Sequence, residues 1–298
     1  TDTGWHVVRY SYTNPVTNCS KDTSLRLYIE QPPHVSIDPM GGLCAKKSQD
    51  SGVVIHGHCY APYGFKWVNI GGGTLKNSLW TDSVITYIPS AAEVAAQKMS
   101  IAILSVGNTY CRYDSAYAES PIYPTPVVSF SSPQTVGCVP FTTTFNDTNL
   151  NRDNATYWWD FGDPASGALN NDTNRNPQHT FNAPGIYSVK LTVKSKEGCD
   201  ETATRLQLIE VYPIPKVDFS FDPHAPDWAT VALPKYKFKD LTDNNGFNIK
   251  SWDWDFGDGI GTSTEQNPEY LYKINDPVGD TGWRTITLRV VSEKGDCY

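Results

Sequence analysis

A five-residue motif that occurs twice sets the terms for this chain. Trp159-Asp160-Phe161-Gly162-Asp163 returns as Trp254-Asp255-Phe256-Gly257-Asp258. Its surroundings return with it. Asn176-Pro177 is matched by Asn267-Pro268, and the run from Gly185 to Val193 by the run from Gly282 to Val290. Upstream, Pro126-Val127-Val128-Ser129-Phe130 pairs with Pro215-Lys216-Val217-Asp218-Phe219. The offset drifts from 89 to 97 residues, as loops of unequal length require. A tandem repeat of this size is a whole small domain, not a solenoid unit. Repeating a domain without a catalytic constellation builds length or multiplies weak binding.

With 298 residues the chain has room for two to three domains. Its 22 glycines and 21 prolines, with 12% aromatic residues, suit short strands joined by many turns. The net charge of −8 is dispersed and forms no basic stripe, so nucleic acid is not an expected partner. No apolar run is long enough to span a membrane. None of the seven cysteines stands in a Cys-x-x-Cys, which speaks against zinc and thioredoxin-like chemistry. Their wide spacing favours disulfides closing large loops within domains, and hence an exported protein. The alternative is buried thiols in a cytosolic one.

Three proline-bearing joints, Pro32-Pro33, Pro124-Thr125-Pro126 and Pro213-Ile214-Pro215, divide the chain. Such joints are short and stiff. The resulting segments are 1–33, 34–126, 127–213 and 214–298. Tyr187, Val189, Leu191 and Val193 alternate with polar residues, as do Ile286, Leu288 and Val290. A period of two marks strands with one buried face. Residues 5–12 and 25–30 read as the last two strands of a further sandwich, with Cys19 between them. Segment 214–298 ends before any counterpart of the strand Arg205–Val211. The expectation is a window on a longer protein, truncated within a domain at each end. In 34–126, Gly71-Gly72-Gly73 predicts a turn, and Ser90-Ala91-Ala92-Glu93 a capping box. The box should open a helix running to about Met99 and crossing between strands, before a strand from Ile101 to Val106.

Trp-Asp-Phe-Gly-Asp, then Asn-Pro-x-His/Tyr, then Gly-x-Tyr-x-Val-x-Leu-x-Val resembles the PKD domain, an immunoglobulin-like sandwich. The likeness runs over residues 127–298. Gly137-Cys138 and Gly198-Cys199 resemble its cysteine-bearing bacterial form. Residues 34–126 are similar to immunoglobulin-like repeats of giant surface proteins of gliding, Bacteroidetes-type bacteria. Cys44, Tyr87-Ile88-Pro89-Ser90 with Glu93, and Cys111 with Asp114 carry that likeness. The resemblance implies an all-β chain of tandem immunoglobulin-like (PKD-type) β-sandwiches arranged end to end. It also implies surface display through the type IX secretion system. It implies no cofactor and no ligand. Two departures stand out. Arg284 replaces the usual tyrosine, with Trp283 the candidate to supply the aromatic. Val231 stands where Cys138 would be, and Cys297 is one residue out of register with no obvious partner.

Because each pair brackets one module, the expected disulfides are Cys44–Cys111 and Cys138–Cys199. Cys19 should pair only with residues upstream. Asp160, Asp163, Asp255 and Asp258 could ligate calcium, but Asp253–Gly259 lacks the full EF-hand pattern, and Asp-Gly turns need such side chains anyway. His56 and His58 share a strand face, yet no third ligand can be named, and an exposed polar face is the plainer reading. Trp5, Trp67, Trp80 and Trp228 could stack on sugars, although core positions are commoner for such residues. Asp82-Ser83-Val84 and Asp114-Ser115-Ala116 resemble the O-glycosylation acceptor of such bacteria. Nucleophile elbow, zincin, phosphate-loop and dinucleotide motifs do not occur. The reading is a non-catalytic stalk whose partners are further repeats of the same chain, surface glycans or other surface proteins. Its rival is a carbohydrate-binding accessory of a secreted enzyme.

Overall fold

A computed structural model describes residues 3–60, 64–76, 78–107, 112–149, 154–222, 235–272 and 283–298. Val231 and Trp228 therefore lie outside the described residues, as does Cys111. The chain forms two compact units, Thr1–Pro126 with Glu197–Cys199, and Val127–Lys196 with Asp200–Tyr298.

The first unit opens with an antiparallel hairpin of β1 (Gly4–Thr13) and β2 (Ser20–Ile29). A sandwich follows. One sheet takes β3 (His34–Ile37), β5 (Val53–Tyr60), β8 (Val84–Ile88) and β7 (Thr74–Leu75) in that order. The other takes β4 (Leu43–Cys44), β10 (Ser115–Tyr123), β9 (Lys98–Val106) and β6 (Gly64–Asn69). Strand β4 runs parallel to the end of β10, while the β9–β10 and β6–β9 pairs are antiparallel. The inward residues of every second strand position build one core: Val35, Ile55, Trp67, Ile85, Tyr87, Met99, Ile101, Ile103 and Ile122. Two short helices, α1 (Ala45–Ser51) and α2 (Ala91–Ala95), complete this unit's elements. The capping box is present at α2, with Glu93 buried and accepting from the Ser90 and Ser100 N–H groups and the Tyr87 hydroxyl. The helix is shorter than expected. Gln97 turns to φ 55°, which no helix accommodates, and Met99 is already an inward residue of β9.

The second unit holds two cores. Around the first copy of the motif stand β11 (Phe130–Ser131), β12 (Val136–Cys138), β13 (Phe141–Thr144), β14 (Asn146–Asp147) and β15 (Thr156–Asp160). They are followed by β16 (Asn171–Asp172), β17 (Gln178–Phe181), β18 (Gly185–Lys194) and β19 (Asp200–Tyr212). The main sheet has the order β12-β19-β18-β15-β16, and β12 is its parallel member. The second copy uses β20 (Phe219–Asp222), β21 (Lys235–Asp240), β22 (Ile249–Asp255), β23 (Thr262–Ser263), β24 (Glu269–Leu271) and β25 (Thr287–Ser292). These form two three-stranded sheets, β20-β21-β24 and β23-β22-β25. The alternating apolar residues of β18 and β25 face inward, as their period of two requires. The architecture is all-β, a tandem of β-sandwiches.

Candidate functional site: two copies of an aspartate-aromatic motif

Strand β15 turns Trp159 inward and leaves its neighbour Trp158 on the outer face. Trp159 lies opposite Leu191 on β18, and Trp254 lies opposite Leu288 on β25. Both indoles are completely buried. Burial obliges the ring N–H to find an acceptor. Trp159 Nε1 donates to the Asn174 carbonyl and Trp254 Nε1 to the Glu265 carbonyl, each at 2.9 Å. The aromatic neighbours repeat as well. Phe130 meets Trp159 edge-on at 5.1 Å, as Phe219 meets Trp254 at 5.2 Å. Phe161 and Phe256 lie nearly parallel to their tryptophans.

The glycine between the carboxylates is needed at both places. Gly162 has φ +71° and Gly257 φ +73°, and a Cβ there would run into the carbonyl oxygens of Ser188 and Thr285. Asp160 Oδ1 accepts from the Gly162 N–H at 3.0 Å, and Asp255 Oδ1 from the Gly257 N–H at 2.9 Å. These are turn closures of the kind aspartate makes with its own backbone. Burial raises the Asp160 pKa, but bonds from Gly162, Asn170 and Lys190 outweigh it and hold the carboxyl below its ordinary value.

The last aspartate of each motif explains the Asn-Pro-x-His/Tyr signature. Asp163 is buried, with Oδ2 3.1 Å from His179 Nε2, and the imidazole stacks on Phe161 at 4.3 Å. In the second copy the Tyr270 hydroxyl donates to Asp258 Oδ2 at 2.6 Å, and that ring stacks on Phe256 at 4.1 Å. Asp258 Oδ1 accepts the N–H groups of Ile260 and Gly261. Burial, helped by the bond to Asp258 and its charge, pushes the Tyr270 phenol up to about 12. Burial alone would raise Asp258, yet the bonds from Tyr270, Gly261 and Ile260 hold it below the ordinary value.

A second repeated aspartate escaped the sequence reading. Asp147 and Asp240 each donate their backbone N–H to the asparagine of the Asn-Pro pair, Asn176 or Asn267, at 3.0 and 2.9 Å. Asp240 Oδ2 accepts from Trp252 Nε1 at 2.7 Å, where Asp147 Oδ2 faces the Tyr157 hydroxyl and Arg175. The signal was available: Phe145-Asn146-Asp147 and Phe238-Lys239-Asp240 precede the two motifs, with Asp147 12 and Asp240 14 residues before the tryptophan. The motif carboxylates are thus met by donors of the protein itself. Among the described residues no cluster of three His, Cys, Asp or Glu side chains converges as a metal site.

Other expected positions sort differently. His56 and His58 are exposed on β5, and His58 Nε2 pairs with Asp38 at 2.9 Å. Trp67 is a core residue whose Nε1 donates to the Asp82 carbonyl, so it cannot stack on a sugar. Trp5 is exposed, and Trp80 packs edge-on to Tyr87. Trp283 does not replace the missing tyrosine, being 83% exposed. Tyr272, at the place of Phe181, instead sends its hydroxyl to the Phe256 carbonyl at 2.9 Å and packs on Tyr236.

The disulfides correct the expected pairing. Cys44 is bonded to Cys199, and Cys138 to Cys297. Neither Cys44–Cys111 nor Cys138–Cys199 is therefore available. Cys297 does have a partner. Its turn carries Gly295 at φ +72° and Asp296 at φ +53°, and the strand before it, β25, runs on to Ser292, so Cys297, like Cys199, lies five residues beyond its strand. Cys19 is an exposed thiol.

Residues 123–209, the first copy of the motif, match the PKD domain. Among solved structures the chain is similar to Sidekick-1 immunoglobulin domains 1–5, at 11% identity and TM-score 0.32. That match covers 86% of this chain and 55% of the other, so the chain spans about half its length. It is also similar to the fibronectin(III)-like modules of Clostridium thermocellum CbhA, at 17% identity, 57% and 88% coverage and TM-score 0.27. Murine CEACAM1b matches at 10% identity, 60% and 100% coverage and TM-score 0.30. Likeness at that level decides nothing about ligand or partner.

Proposed function

We propose that this chain is a non-catalytic, structural and adhesive stalk segment of a large secreted protein at a bacterial cell surface. The modules are 1–33, 34–126, 127–213 and 214–298, the second an immunoglobulin-like module and the last two PKD domains. The observation that carries the reading is the repeated use of the motif. Both copies commit their tryptophan, phenylalanine and aspartates to packing and turn closure, so the repeat reproduces a scaffold. Two disulfides fit an oxidising compartment. Among the described residues no helix is long and apolar enough to cross a membrane. The gliding-adhesin context and export by the type IX system follow from the resemblance of 34–126 and 127–298 noted above. Neighbouring repeats, surface glycans and other surface proteins are the expected partners.

Antibody raised against the purified segment should label intact producing cells, and external protease should abolish the label. Labelling only after lysis would overturn surface display. A glycan array with parallel hydrolysis assays addresses the rival: turnover of any glycan would remove the stalk reading in favour of an enzyme accessory.

A further inference from the structure

The two disulfides obey one placement rule. Cys44 ends β4 and Cys138 ends β12, and each of these short strands runs parallel to the end of a long strand, opposite Tyr123 or Tyr212. Their partners sit alike: Cys199 and Cys297 each lie five residues beyond the strand that precedes the turn, after Lys194 and Ser292. In both cases an early cysteine of one sequence repeat is tied to the late turn of the next. In the second unit this tie is backed by packing. Gly295 lies against the Tyr212 ring with no room for a Cβ, Tyr212 meets Phe247 edge-on at 5.6 Å, and the Val139 N–H donates to the Tyr212 carbonyl.

The consequence is topological. The bonds interleave, because Cys138 falls between Cys44 and Cys199, and Cys199 between Cys138 and Cys297. The shortest covalent route from Thr1 to Tyr298 goes to Cys44, crosses to Cys199, runs backward to Cys138, crosses to Cys297 and ends. That route contains about 105 residues, or about 360 Å at full extension. The reduced chain of 298 residues reaches about 1,000 Å. A further bond within residues 45–137 would not lie on the route. Separate bonds inside each repeat would give a different figure, about 170 residues and about 580 Å.

We propose that the interleaved disulfides are a covalent lacing that limits how far this segment can be drawn out under tension. Residues 138–199 then carry the load once the non-covalent structure yields, and 45–137 and 200–296 stay slack. The tension-bearing role rests on the stalk reading, whereas the limit on length does not.

The chain, held by its two ends, can be pulled in single-molecule force spectroscopy. Without reductant the fully extended length should be about 360 Å, rising almost threefold with the phosphine reductant TCEP. The double variant Cys138→Ser/Cys297→Ser should extend to about 480 Å, since its route goes from Cys44 through Cys199 to the end. A length near 580 Å without reductant, or no change on reduction, would overturn the lacing. Should the variant fail to fold, non-reducing digestion of the wild-type chain decides the matter: a Cys44 peptide linked to a Cys199 peptide supports it, and any other Cys44 partner overturns it. Absence of the segment from the cell surface would remove the stalk reading and leave these lengths unchanged.

Discussion

At the residue scale, the last aspartate of the motif shows how one structural need is met by two side chains. His179 and Tyr270 have different chemistry, yet each lies flat on the motif phenylalanine and offers a polar hydrogen to the carboxylate. His179→Phe keeps the ring and removes that hydrogen. A buried carboxylate losing a partner costs about 1–3 kcal/mol. His179→Tyr reproduces the second copy and should cost less than about half of that. Urea midpoints of the two variants check the order, and equal losses would make the ring, not the hydrogen bond, the requirement. The second copy makes a pH prediction. Tyr270 is pushed up to about 12, so its contribution is present below pH 10, the unfolded value, and lost as pH climbs through 12. Asp258 is depressed, so its contribution is present above the ordinary carboxylate value near 4 and lost as pH falls through the folded value. Absorbance titration at alkaline pH should show one fewer late-ionising phenol in Tyr270→Phe, and acid unfolding of that variant should begin at higher pH.

At the scale of elements, the strands were legible because one buried face imposes a period of two, and β18 and β25 obey it. The motif turn was legible as well, since an aspartate two residues before a glycine and another directly after it are turn residues. Gly162→Ala and Gly257→Ala should each cost at least 1–3 kcal/mol, because a left-handed φ and a backbone oxygen both oppose the methyl group. Gly246→Ala is the control: φ is +84° but the space is open, so about 1 kcal/mol should suffice. Thermal denaturation separates them. What was not legible has a common cause: it depends on which residues meet in space. The α2 capping box is local and could be read, while the helix's end at Ala95, just before the left-handed Gln97, was set by the need to enter β9 with Met99 inward. Trp67 looks like Trp5 in sequence, yet one fills a core and the other is exposed. The cysteine pairing failed on the same ground. Bracketing a module is the cheapest assumption from spacing alone, and only the meeting of β12 with the turn after β25 shows why Cys138 passes over Cys199.

At the scale of the molecule, the bonds decide how the cores fail together. Among the described residues the cores around Trp159 and Trp254 share no buried residue, so the ties between them are the Cys138–Cys297 bond and the contacts of Tyr212. The Cys138–Cys297 bond closes a loop with a sequence separation of 159, worth about 5 kcal/mol in the chain-entropy model. That stabilisation acts on the unfolded state, and it is realised in full only when both cores have opened. If one core opens alone, its ends remain pinned to a folded neighbour through the bond and through Tyr212. Opening one core then gains less chain entropy than it would in a free domain. Calorimetry of the whole chain should therefore show the transitions of these two cores close together when oxidised. In the double variant Cys138→Ser/Cys297→Ser they should separate and fall, the less stable core moving further. Among the described residues the core near Trp254 is the smaller of the two, so it should melt first. Near-ultraviolet circular dichroism of Trp254→Phe assigns the transition. Identical transitions with and without the bond would show that the two cores are coupled by packing and not by the disulfide.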